Sequence, residues 1–229
     1  MRGNKEIRGF GHDAVKQNRI QCILSILMWS VFSGVVGGVV GFLSSIPSII
    51  SGLMIIFGNN NNLLSSVLTM LAIIVSLVGA CALILVQIGS WVGIKKFNMD
   101  NVENGDTRWT EAFSENKNLL RYAKLYGYVL LKMLIWIIIP VVNLIKFYDY
   151  QLVGYIALEN PDMSAKEVLQ TSKEMMQGYK WQSFCLDFYY IICISIGLIA
   201  LIIPSVVHFI PCYLSSRAAF YLAVLEQYE

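Results

Sequence analysis

Lys132, Lys146, Asp149, Asp187 and Arg217 stand inside stretches otherwise built from aliphatic and aromatic residues, and they are the side chains of this sequence best placed to do chemistry. A charge in a hydrocarbon setting costs at least about 2.5 kcal/mol even on a lenient insertion scale, so each must find a partner, a wet cavity or the membrane interface. Folding the chain about Val141 and Val142 brings Lys132 close to the level of Asp149. A second fold near Pro204 leaves Asp187 and Arg217 offset by about five residues, roughly 7 Å, which an extended arginine spans. Two readings follow: a polar pathway for a substrate or ion, or structural ion pairs with Lys146 and Arg217 reaching for the interfaces.

Other chemistry is sparse. His12 and His208 are the only histidines, and there is neither an HExxH zinc pattern nor a Gly-x-Ser-x-Gly nucleophile turn, so no catalytic residue, metal site or cofactor is expected. The cysteines at 22, 81, 185, 193 and 212 are odd in number, lack CxxC spacing and lie in apolar runs, which suits small buried side chains. Ser30, Gly34 and Gly38, with Gly37 and Gly41, recur at four-residue spacing and offer a surface on which another helix can approach, within the monomer or in a homodimer. The run from Gly34 to Gly41 lacks the Lys-Ser or Lys-Thr ending of a phosphate loop. Tyr148, Tyr150, Tyr155, Tyr189, Tyr190, Tyr213 and Tyr221 suit either interface anchoring or the wall of an aromatic cavity.

The elements that must position these groups are membrane helices. No Asp, Glu, Lys, Arg or His occurs between Arg19 and Lys95, and the composition is 56% hydrophobic and 14% charged. About 20 helical residues cross a 30 Å hydrocarbon layer. Ile-Pro steps at Pro47, Pro140 and Pro204 divide the long apolar stretches, because proline removes a backbone donor and disfavours helix in the residue before it. This predicts an all-α, polytopic protein with about six transmembrane helices, 20–43, 63–94, 120–139, 141–158, 181–203 and 205–224, arranged as three hairpins with Ile-Pro outer turns. The first turn is longer and holds the polar tract Asn59 to Asn62, which belongs in water.

One integral-membrane domain over 1–229 is expected. The basic tail 1–19 and the basic connections 95–119 and 159–180 place both termini in the cytoplasm by the positive-inside bias. The net charge of +2 gives no electrostatic footprint for nucleic acid, and the lipid bilayer is the first partner. Ser164 and Glu167, three residues apart after Pro161, form a capping-box pattern that starts a helix running to about Gln177. Val168, Leu169, Met175 and Met176 give that helix an apolar face toward membrane or bundle, and Gly178 suits the left-handed position after it. Trp109 to Phe113 reads as a shorter element of the same kind.

Asn160-Pro161-Asp162-Met163-Ser164-Ala165, followed by Gly178-Tyr179-Lys180-Trp181 and Phe184-Cys185-Leu186-Asp187, resembles an uncharacterised bacterial integral-membrane family, the domain of unknown function 975. The Ile-Pro turn before Tyr148-Asp149-Tyr150 and the terminal Arg217-Ala218-Ala219-Phe220-Tyr221 are similar to its layout, and the similarity extends over nearly the whole chain. The resemblance implies a multi-pass plasma-membrane protein and brings no activity or catalytic residue with it. The expected role is a non-enzymatic accessory or partner in transport, export or envelope maintenance. The alternative is a transporter or channel for a small solute, lipid or peptide that uses the intramembrane charges.

Overall fold

The computed structural model describes residues 2–56, 62–137, 139–200 and 205–228, and these are helical nearly throughout. The helices are α1 (Asn4–Gln17), α2 (Arg19–Ile56), α3 (Asn62–Asn104), α4 (Leu119–Ile135), α5 (Pro140–Asp149), α6 (Val153–Glu159), α7 (Ala165–Met175), α8 (Lys180–Ala200) and α9 (Ile210–Tyr228). A 3₁₀ segment, Trp109–Asn118, precedes α4, and a π-helical turn, Ser205–Phe209, leads into α9. Three helical stretches are long and apolar enough to cross a membrane: Arg19–Ile50, Ser66–Asn104 and Lys180–Ile199.

Two compact units are present, residues 28–88 and the remainder of the chain. In the first, Val40 of α2 lies directly on Gly79 of α3, and Ser33 donates a hydrogen bond to Gln87 at 3.2 Å. Most other side chains of this unit point outward, including Val35, Phe42, Met70, Ile74 and Val78. Such a surface has hydrocarbon, not water, as its natural solvent. Pro47 does not end the helix, contrary to expectation, and α2 continues to Ile56. One turn before the proline, the hydroxyls of Ser44 and Ser45 fold back on the helix and donate to the carbonyls of Gly41 and Phe42 at 3.0 and 2.7 Å. The polar turn read at Asn59 to Asn62 lies almost wholly outside the described residues, as does the Ile203-Pro204 joint.

In the larger unit the first helix is the main surprise. The segment expected as a basic tail is an amphipathic helix that buries Ile7, Gly11, Ala14 and Val15 against α9. Gly11 permits the crossing, because a Cβ there would stand 2.6 Å from the backbone nitrogen of Ser216 and 2.8 Å from its Cα. Asn18, between α1 and α2, fixes the bend by donating to Asn101 at 2.9 Å and to the Thr107 carbonyl at 2.8 Å. These contacts also explain why α3 continues to Asn104, beyond the connection expected to begin at 95. Its last turns supply buried Val92, Ile94, Phe97, Asn98 and Asn101, and Gly105 at φ 72° then stops it.

The proline joint at Pro140 is present: Ile139 is extended and proline opens α5 at its first position. The helix expected over 141–158 is broken, however, into α5 and α6 with Tyr150 to Leu152 between them. Ten residues rise only about 15 Å, half the hydrocarbon thickness, so α5 alone is no span. The six-helix count was read from apolar length, which does not register this break. α7 begins on a complete capping box, Glu167 N to Ser164 Oγ at 3.4 Å and Ser164 N to Glu167 Oε2 at 2.8 Å. It buries Val168, Leu169, Ser172 and Met175 against its neighbours α4, α5, α6 and α9, and Gly178 takes φ 84° beyond it.

Candidate functional site

Two buried carboxylates organise the larger unit. Asp149, the last residue of α5, is wholly removed from solvent. A carboxylate at a helix C-terminus faces the negative end of the dipole, so its position requires cations nearby. Lys146, one turn earlier on α5, reaches Oδ2 at 3.1 Å, and Lys180, the first residue of α8, is ion-paired to Oδ1. Ser172 on α7 donates to the Asp149 carbonyl at 2.7 Å. Three helices thus converge on one residue.

Asp187 lies two turns along α8 from Lys180 and forms a closed ring of polar contacts. Arg217 of α9 approaches Oδ1 of Asp187 at 3.4 Å, and the same nitrogen donates to Ser183 Oγ at 2.7 Å. Ser183 donates to Gln151 Oε1 at 2.6 Å, and Gln151 Nε2 returns to Asp187 Oδ2 at 3.0 Å. Tyr213 adds a bond to Oδ1 at 3.2 Å. Helical spacing makes this possible, since Ser183 and Asp187 are four apart on α8, and Tyr213 and Arg217 are four apart on α9. Gln151 comes from the break between α5 and α6, two residues after Asp149, so the break itself delivers a ring member.

Of the five charges singled out in the apolar stretches, the structure pairs Asp187 with Arg217, as their offset suggested. It does not pair Lys132 with Asp149. Lys132 is exposed on the last turn of α4 and lies 5.5 Å over the Tyr128 ring, while Asp149 is claimed by the nearer Lys146 and by Lys180. Lys146 is accordingly bound to Asp149 and does not reach for an interface alone. Gln151, Ser183 and Ser172 were missed because they are uncharged and do not interrupt an apolar run. Lys180 was missed because it seemed to belong to a connection; the i, i+3, i+7 spacing of Lys180, Ser183 and Asp187 is the signal that shows it on the same face.

The glycine strip does not serve packing among the described residues. A Cβ added at Gly34, Gly37, Gly38 or Gly41 meets nothing within 4 Å. The tyrosines divide: Tyr148, Tyr155, Tyr190 and Tyr221 are buried, with Tyr155 stacked on Tyr221 at 4.9 Å, so these four are core and not interface anchors. Cys22 and Cys212 are buried, but Cys81 is exposed on α3.

A third polar cluster closes the connection before α4. Glu115 on the 3₁₀ segment accepts from Tyr122 at 2.7 Å, Lys96 at 3.1 Å and Asn118 at 3.2 Å. Burial raises the affinity of this carboxyl for a proton, but the three donors outweigh it and hold Glu115 below the usual glutamate range. Among the described residues no three His, Cys, Asp or Glu side chains gather as metal ligands. A cavity of about 270 Å³ lies elsewhere, between α4, α6 and the start of α7, and is lined by Arg121, Lys124, Leu125, Ala157, Met163, Ala165 and Val168.

No curated protein and no solved structure matches the chain. The family model described as "Protein of unknown function (DUF975)" matches residues 111–228, from the 3₁₀ segment through α9, which is narrower than the nearly full-length similarity read from the sequence. That match holds Asp149, Gln151, Ser183, Asp187 and Arg217, covers just over half of the sequence, and makes this chain a member of the DUF975 family.

Proposed function

We propose that this chain is a multi-pass protein of a bacterial plasma membrane, with both termini cytoplasmic, that acts as a non-enzymatic partner in transport, export or envelope maintenance. The observation that carries the reading is the state of its buried charges. Asp149 is ion-paired to Lys146 and Lys180, Asp187 is paired to Arg217 and bonded by Gln151 and Tyr213, and neither carboxylate lines the 270 Å³ cavity. A translocation path needs charged groups open to a shared wet space, whereas a scaffold neutralises them in packing. Multi-pass insertion is supported by the three long apolar helices together with the α4–α5 joint, where Leu131, Leu134, Ile135, Ile137, Val141, Leu144 and Ile145 are all exposed. Such a tip is suited to entering hydrocarbon as a hairpin.

The test is affinity purification of the tagged full chain in nanodiscs, with mass spectrometry of copurifying proteins and small molecules. A stoichiometric membrane-protein partner, retained by Asp187→Asn, is the expected outcome. Absence of any partner, with a retained solute that is lost in Asp149→Asn or Asp187→Asn, would replace this reading with a transporter.

A further inference from the structure

The cavity beside α4 has a chemistry the buried ion pairs do not share. Its two cations, Arg121 and Lys124, form no ion pair among the described residues, and no carboxylate lines it. Arg121 is held in place by its own hydrogen bonds. One terminal nitrogen donates to the carbonyls of Ala157 and Asn160, both at 2.9 Å, closing the C-terminus of α6 and fixing the guanidinium at the cavity wall. Lys124, one turn further along α4, is exposed and makes no hydrogen bond among the described residues. The N-terminus of α7 is capped by Ser164 and already carries the Glu167 carboxylate, so the attraction for an anion is assigned to the two side chains and not to the helix end.

The opposite wall is apolar: Leu125, Ala157, Met163 and Val168. Beyond Lys124, α4 presents Leu130, Leu131 and Leu134 outward, beginning about 9 Å along the axis at 1.5 Å per residue. A fixed guanidinium, a free ammonium and an apolar track leading away along the same helix match a phosphodiester with acyl chains attached. At about 270 Å³ the space is slightly smaller than the ~300 Å³ lower bound of pockets for drug-sized ligands, which fits a headgroup better than a whole solute.

We infer that this cavity binds the phosphodiester headgroup of an anionic phospholipid, with Arg121 and Lys124 on the phosphate and the acyl chains along the outer leucines of α4. The inference rests on the membrane reading and is independent of any protein partner.

Full-length protein in detergent is titrated with phosphatidylglycerol or phosphatidylcholine, and bound lipid is counted by native mass spectrometry. The expected result is preferential retention of phosphatidylglycerol, reduced about fivefold by Lys124→Gln, the loss that one basic residue near a membrane surface confers. Lys124→Gln is the primary variant because Arg121→Gln also removes the α6 closure. Equal retention of the two lipids, or unchanged retention in Lys124→Gln, overturns the inference. Displacement of the lipid by an equal concentration of inorganic phosphate would assign the cavity to free phosphate and overturn it equally.

Discussion

Arg217 is almost fully buried, and its charge is tolerable there because Asp187, Ser183 and the face of the Phe220 ring replace the water it has lost. The partner's removal is therefore costlier than the pair is valuable. Asp187→Leu is expected to destabilise the detergent-solubilised protein by about 3–5 kcal/mol, while Asp187→Leu combined with Arg217→Met recovers a large part of that loss. Thermal unfolding of the two single variants and the double variant measures the coupling, and strictly additive losses would contradict the ring. Register alone made this pair legible, since its members stand on two long apolar helices. Gln151 was not legible, because it lies in the break at Tyr150 to Leu152, which no proline announces; Lys180 was passed over because it stands at the edge of a connection, although its spacing to Ser183 and Asp187 puts it on their face.

At the scale of elements, the 3₁₀ segment Trp109–Asn118 is joined to α3 and α4 through one carboxylate, Glu115, bonded to Lys96 and Tyr122. Because its folded-state proton affinity is lowered from the ordinary glutamate value of 4.5, the stability it supplies is fully present above that pH. It is lost as pH falls further, through the depressed folded value. Glu115→Gln should therefore unfold at lower temperature than the parent at neutral pH, and the gap should narrow only below about 4.5; a gap independent of pH would remove the charge from the explanation. Local sequence chemistry was readable here wherever it is self-contained. Ser164 and Glu167 specify the start of α7 within four residues, and Gly178 its end. Pro47 was not readable, because a proline inside a continuing helix and a proline at a joint share the same local wording.

For the molecule as a whole, the contact of α1 with α9 is the feature that composition concealed. Five basic residues among the first 19 suggested a solvated tail, although Ile7, Gly11, Ala14 and Val15 already trace one helical face. Gly9 and Gly11 separate propensity from packing. Alanine at exposed Gly9, where an added Cβ meets nothing, should be neutral or stabilising by up to about 1 kcal/mol. Alanine at Gly11 should cost about 1–3 kcal/mol, because the Ser216 backbone must move. Matching effects at the two sites in thermal unfolding would refute the close crossing. The same crossing ties together parts of the chain that are made far apart in time. Arg2 bonds to Glu226, 224 positions later, a distance that takes about 11–45 s to synthesise at roughly 5–20 residues per second. During that interval the apolar face of α1 has no α9 to cover it. A chain that stops short of α9 therefore keeps Ile7, Ala14 and Val15 of α1 uncovered, because the surface that buries them has not been made.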